Sequence, residues 1–388
     1  MYKAIYAYPR DLAGEGLDVA LGRIREAGIN TINVAVSGHA GAVSLCRTGE
    51  VQPAADGTVC FRARPERYGH IRPRIHPTVQ EFDALAELQR AAPDLGRAAW
   101  VVGFHDRSLG EEHPEYVARN ALGEAFPDRL CTAHPAVRDY VVNLCADLAH
   151  GYDLAAVVLE TPGWLSYDHE RETSAEAPLN QFATTLLSLC FADATRHAAK
   201  AAGIDADRLQ AKARTLLERH LAGELALPDA LVSEWWSADM VSDPEWAAFL
   251  HWRCRQVADL VTAVKSALPG GTALAVIPTG QQLGAACWRQ GCDLAMLAVA
   301  ADALELPADQ ARAADLYVEA CDVRRRAGDD AALRFIFTLD HVDRAGILEA
   351  ALRLQQIGIS GIAFHDYRRL RHGGLDAVRA VLAALDQA

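Results

Sequence analysis

Asp147-Leu148-Ala149-His150-Gly151-Tyr152-Asp153, Leu154-Ala155-Ala156-Val157-Val158-Leu159, Glu160-Thr161-Pro162-Gly163-Trp164 and then Asp168-His169 form the stretch whose reading decides the fold. The six apolar residues at 154–159 have the length and the Val/Leu content of a buried parallel strand. A helix-like segment leads into them. A carboxylate, a Pro-Gly break and a Trp follow at once. In parallel α/β folds, ligands sit beyond the carboxyl ends of the strands. Glu160 therefore stands where such a fold does chemistry; the plain alternative is that it ends a strand and caps a loop.

The same alternation runs outward in both directions. Toward the N-terminus, strand-like runs occupy 3–8, 31–37 and 98–104, with helix patterns at 17–27, 77–92 and 135–150. Pro77 stands at a helix start, and Gly28 stops the first helix. Two long polar connections, 40–76 and 106–133, are of the length that usually carries function. Toward the C-terminus, about 110 residues separate Glu160 from the next strand at 272–278. They hold helix patterns at 179–202, 205–222 and 243–268, the last with Asp243 as cap and Pro244 in its first turn. Strands at 303–306, 333–338 and 361–364 then alternate with helices at 293–301, 309–327, 342–357 and 375–385.

Eight strand–helix units predict an α/β fold, a single (β/α)8 TIM barrel over residues 1–388. Residues 161–242 read as a helical insertion after strand four, over the C-terminal mouth. The rival is an open doubly wound sheet, which usually shows a Gly-rich phosphate turn after its first strand. Here that turn is Pro9-Arg10-Asp11-Leu12-Ala13-Gly14-Glu15-Gly16, without G-x-G-x-x-G.

The strand ends collect polar groups. Strand two gives His39, strand three His105 and Asp106, and strand four Glu160, Trp164, Asp168 and His169. Strand six gives Glu305, strand seven Asp340 and His341, and strand eight His365 and Asp366. One chemistry that fits is glycoside hydrolysis, which uses a proton donor and a second carboxylate. Glu160 with Asp340 is the preferred pair, and Glu160 with Glu305 the second. His39, His105, Asp106, Asp168, His169, His365 and Asp366 are then candidates for binding sugar hydroxyls. Trp164 is the candidate stacking platform, extended by Trp235, Trp236 and Trp288. At the end of an apolar strand Glu160 is expected to be desolvated, which raises a carboxyl pKa toward that of a proton donor.

A second chemistry uses a mixed shell of His39, His105, Glu160, Asp340, His365 and Asp366 around a metal. No local motif such as H-E-x-x-H supports it, so no metal ligand is assigned. A third reading is a barrel that binds a sugar without turning it over. No Walker A loop, G-x-S-x-G elbow or zinc-type Cys cluster is present, and no cofactor is expected.

Composition narrows the partners. The chain has 388 residues, 51% of them hydrophobic, with a net charge of −13. That charge disfavours nucleic acid and anionic membranes. No run approaches the 18 apolar residues of a membrane span, and the first nine residues lack a signal-peptide core. The nine cysteines are scattered, with no C-x-x-C pair, and read as reduced thiols in a cytoplasmic protein. The expected partner is a small carbohydrate substrate, with a homo-oligomer left open.

One stretch carries a family resemblance. It runs His113-Pro114-Glu115-Tyr116, Arg119-Asn120-Ala121-Leu122-Gly123-Glu124, Leu130-Cys131, His134-Pro135-Ala136-Val137-Arg138-Asp139-Tyr140 and Tyr152 to Glu160. It resembles the glycoside-hydrolase-like TIM-barrel proteins of bacteria, most clearly over 97–170. Cys190-Phe191 lends weaker support. The resemblance implies a barrel with an acidic residue ending strand four and a carbohydrate-directed reaction. The chain departs from the group in having Glu160 where Asp is usual and in keeping only Cys190 of a cysteine cluster.

Overall fold

The structure, a computed structural model, describes residues 1–37, 44–45, 51–52, 57–168, 179–225, 228–280, 284–308, 312–339, 344–369 and 374–387. Eight parallel strands close into a barrel: β1 (Tyr2–Ala7), β2 (Thr31–Ala35), β3 (Gly96–Val102), β4 (Ala156–Glu160), β5 (Ala273–Ile277), β6 (Ala303–Pro307), β7 (Leu333–Thr338) and β8 (Gly361–His365). Strand β1 pairs on one side with β2 and on the other with β8, which completes the ring. Helices Leu17–Glu26 (α1), Ala84–Ala91 (α2), Pro135–Gly151 (α3), Pro244–Ala267 (α4), Leu294–Ala300 (α5), Ala313–Ala327 (α6), Arg344–Gln355 (α7) and Leu375–Gln387 (α8) follow the strands in turn. The alternation read from the sequence is thus present as a (β/α)8 barrel.

Period-two alternation along each strand divides the core in two. Outward residues such as Ile5, Val34, Val101, Leu159, Val276 and Phe364 join the helices in one large cluster. Inward residues form a separate cluster that includes Ala4, Tyr6, Ala98, Trp100, Ala156, Ala275, Ala303 and Ala363. The many alanines leave room for a few large side chains, so the interior is filled by unequal partners. Between them runs a buried polar column. Glu305, fully buried, accepts 2.6 Å from Tyr6 Oη and 2.9 Å from Arg334 Nη1. Arg334 lies over the Tyr2 ring, 3.8 Å from its centroid, and Tyr2 Oη bonds Asn33 at 2.9 Å. A buried charge needs such partners.

The connections differ from their sequence reading in three places. The segment after His105 contains a helix, Arg107–Glu112, and an antiparallel hairpin, Val117–Arg119 with Ala125–Leu130. The hairpin strands are short and strongly charged, so periodicity did not mark them. The pattern at 179–202 is two helices, Gln181–Ser188 and Asp193–Ala201, because the chain between them turns to dock Phe191 N on Arg119 O. A further helix, Val232–Ser242, precedes α4. Among the described residues no helix is long and apolar enough to cross a membrane.

Asp147 fastens the connection between β2 and β3 to α3. Its carboxylate is 1% exposed and accepts from Arg64 N at 2.8 Å, Arg64 Nε at 2.6 Å and Tyr68 Oη at 3.0 Å. Its removal strands three donors, one of them charged. Asp147→Ala is expected to lower unfolding stability by about 3 kcal/mol. Urea denaturation checks this; a loss under about 1 kcal/mol, the net worth of one ordinary hydrogen bond, would mean the anchor is redundant.

Candidate active site

The site is assembled at the carboxyl-terminal rim, where β1, β3, β4 and β8 end. Inward positions on β1 place Tyr6, and Tyr8 follows one period later. On β3 the inward alternation of Ala98, Trp100 and Val102 brings Trp100 beside them. Tyr6 meets Trp100 edge-on with centroids 5.0 Å apart, and Tyr8 meets it at 5.6 Å. His365, the last residue of β8, stands 5.8 Å from Trp100 and 6.1 Å from Tyr6. Glu160 ends β4 half-buried, and Trp100 Nε1 donates to its Oε2 at 2.5 Å. Glu160 is thus a rim carboxylate held by an indole N–H against an aromatic floor.

The electrostatics follow from burial. Burial pushes the Tyr8 phenol well above its ordinary range, with the charges of Glu160 and Asp366 adding to it. Tyr6 rises for the same reason, burial first and Glu305 next. Both phenols stay protonated near neutral pH and can donate hydrogen bonds. Asp366 is 2% exposed, with Arg368 Nη2 at 3.8 Å. The peptide joining it to His365 is cis.

The backbone around Glu160 is unusual. Thr161 takes φ +43, a left-handed conformation disfavoured for a β-branched residue. Its N–H is used by Ile277 O at 2.8 Å, which ties the turn to the end of β5. After β5, a Cβ on Gly280 would come 3.4 Å from Glu160 Oε1, so glycine keeps that side of the carboxylate open.

The other candidates fall in several places. His365 and Asp366 join Glu160 at the rim. Glu305 does not, because β6 runs on to Pro307 and leaves it mid-strand inside the barrel, committed to Tyr6 and Arg334. His105 is 3% exposed and turned toward the hairpin, with Nε2 3.7 Å from Asp128 Oδ2. Burial pushes the Asp128 carboxyl up, but the neighbouring His105 imidazole and the Arg129 charge outweigh it and hold it well below the usual range. Asp106 caps Arg107–Glu112, accepting from Leu109 N at 2.8 Å. Asp168 is exposed and accepts from Ser166 Oγ at 2.5 Å. His39, His169, Asp340 and His341 lie outside the described residues. Among the described residues no group of three His, Cys, Asp or Glu side chains is placed to hold a metal ion.

Trp164 is not an open platform. It is 3% exposed, 6.4 Å from Trp252 and beneath the Arg253 guanidinium at 4.7 Å. The Gly before it explains why. A Cβ on Gly163 would sit 1.9 Å from Gln290 O, so the strand-four and strand-five loops cross in contact and press the indole into the core. Trp236 is also buried, Trp288 is half-buried against it at 5.9 Å, and Trp235 leans on Phe182 at 6.0 Å. The residues that surround Glu160 instead, Tyr6, Tyr8 and Trp100, had a signal in the sequence: the alternation Tyr2, Ala4, Tyr6, Tyr8 places aromatic groups on the inward face of β1.

No family model matches the chain, and no curated protein matches it in sequence. Solved structures share its fold. The glycoside hydrolase domain of PgaB (BpsB) from Bordetella bronchiseptica superposes with a TM-score of 0.61 at 13% identity, covering 98% of both chains. A β-galactosidase from the psychrophile Marinomonas ef1 gives 0.55 at 14%, covering 94% of this chain and 54% of its own. One from Bacillus circulans sp. alkalophilus gives 0.52 at 10%, covering 94% and 50%. This chain spans about half the length of those two β-galactosidase chains. At these identities the likeness establishes the barrel.

The burial of Trp164 sets the expected effect of removing it. Trp164→Ala should cost about 3–5 kcal/mol of stability, as large aromatic truncations in a core do. Chemical denaturation measures it; a variant as stable as the parent, with weakened sugar binding, would restore the platform reading.

Proposed function

We propose that the chain is a glycoside hydrolase acting on a carbohydrate bound over the rim at Glu160. The observation that carries the reading is the Trp100–Glu160 hydrogen bond, which fixes a carboxyl group at the end of strand four amid Tyr6, Tyr8 and His365. Tyr8, half-buried, suits a sugar with its ring face and its protonated phenol, while the buried Tyr6 and Trp100 support the carboxyl from below. The fold likeness to a glycoside hydrolase domain and to β-galactosidases supports the same reading. In this mechanism Glu160 gives its proton to the glycosidic oxygen, and the Trp100 N–H keeps the carboxyl aimed. Asp340 is the partner carboxylate, attacking the anomeric carbon or activating water. It follows β7, whose last residue, Thr338, pairs in register with His365. The helical segment after β4 then contributes a wall to the substrate channel. Eight described cysteines, all free thiols, fit a reducing, cytoplasmic setting.

A panel of aryl glycosides tests the assignment. Glu160→Gln and Asp340→Asn should each cut kcat by about 10²–10⁴-fold while binding by calorimetry persists. A proton donor works only while protonated, so activity falls as pH rises through its pKa. Glu160→Gln should therefore also abolish the alkaline limb. A Glu160→Gln enzyme that keeps most of its turnover would overturn the role given to Glu160.

A further inference from the structure

Two thiols meet where the strand-three hairpin docks on the helical segment. Cys131 directly follows the hairpin strand Ala125–Leu130, and Cys190 lies in the break between helices Gln181–Ser188 and Asp193–Ala201. Their Sγ atoms are 3.9 Å apart, and each is 3.3 Å from Thr195 Oγ1. Cys131 and Thr195 are fully buried and Cys190 is 2% exposed. Cys190 also lines a small cavity with Phe104, Arg129, Trp164 and Leu189.

The two sulfurs are unlike. Burial pushes the Cys190 thiol up, but hydrogen bonds from Cys131, from Thr195 and from the backbone at Ala192 outweigh it and bring Cys190 below the ordinary thiol range. Cys131, donating to Cys190 and buried, rises. A buried cation lies nearby. Arg253 is fully buried on the Trp164 face, its guanidinium nitrogens have no hydrogen-bond acceptor among the described residues, and its charge interacts with Cys254 first and then with Cys190 and Cys292. An uncompensated buried cation favours an anion nearby. Burial also pushes the Cys145, Cys287 and Cys292 thiols up.

We propose that Cys131 and Cys190 form a peroxide-sensitive dithiol, in which Cys190 is the attacking thiolate and Cys131 the resolving thiol. The Cys190 thiolate attacks one oxygen of hydrogen peroxide, the O–O bond breaks, and the departing hydroxide takes up a proton equivalent to the one the thiol released, becoming water. Cys190 is then a sulfenic acid. The Cys131 sulfur attacks it, the S–O bond breaks, and hydroxide leaves with the Cys131 proton as a second water. Two electrons pass from the sulfur pair to the peroxide. The S–S bond requires the sulfurs to close from 3.9 Å to about 2.05 Å. The cross-link joins chain positions 59 apart, fastening the hairpin to the helical segment beside the Arg129 contacts to Ser166 O at 2.6 Å and Tyr167 O at 3.2 Å.

The experiment exposes the full chain to hydrogen peroxide, blocks remaining thiols with N-ethylmaleimide under denaturing conditions, and maps peptides without reduction. The expected product is a Cys131–Cys190 linked peptide pair, abolished by dithiothreitol, with Cys145, Cys287 and Cys292 alkylated. Cys131→Ser should instead leave Cys190 as a sulfenic acid trapped by a cyclic 1,3-dione. Recovery of both cysteines in alkylated form under conditions that oxidise the exposed Cys321 would overturn the proposal, as would Cys131→Ser protein in which Cys190 resists the dione. Neither readout depends on glycosidase activity.

Discussion

Strand β1 pairs with β2 through Ala4–Ala7 and with β8 through Tyr2–Tyr6, and everything else in the molecule hangs on that closure. A closed parallel ladder has no free edge, and it brings all eight carboxyl ends to one rim. It also confines the inward side chains to a narrow cylinder. Alanine at positions 4, 98, 156, 275, 303 and 363 is what allows Tyr6, Trp100, Glu305 and Arg334 to share that space. The ion pair of Glu305 with Arg334 lies inside the cylinder. Its burial is tolerable because Tyr6 supplies a further donor and the Tyr2 ring covers the guanidinium.

The rim chemistry grows out of this packing. Tyr6 is shared: its hydroxyl faces down to Glu305 and its ring supports Trp100, which in turn holds Glu160. The interior column and the candidate proton donor are therefore linked through two aromatic side chains. The left-handed Thr161 and the crossing of Gly163 with Gln290 fix the chain leaving β4, so the carboxyl at position 160 is held from both directions.

Much of the fold was legible in the sequence because each barrel strand is a short apolar run bounded by a helix pattern. The quoted strand, read as 154–159, is Ala156–Glu160 in the structure, starting two residues later and taking in Glu160. Glu160 was legible for the same reason, as the first polar residue beyond that run. What stayed hidden depends on contacts between distant elements. Glu305 reads as a strand end until the two residues after it are seen to continue the ladder. Trp164 reads as exposed beside Pro162 and Gly163, whereas the close crossing with Gln290, more than a hundred residues away, buries it. The hairpin after β3 has no apolar periodicity of its own and is defined by pairing. Asp106 looked like a ligand residue and is a helix cap, a role its neighbour Leu109 reveals only in three dimensions.

The central claim is that Glu160, aimed by Trp100, meets the bond to be broken. A crystal structure of the Glu160→Gln protein with a bound oligosaccharide tests it most directly. The account predicts a glycosidic oxygen within hydrogen-bond reach of the side chain at position 160, with a sugar ring packed against Tyr8 or His365. An oligosaccharide bound elsewhere on the molecule, with the Trp100 rim left empty, would contradict it.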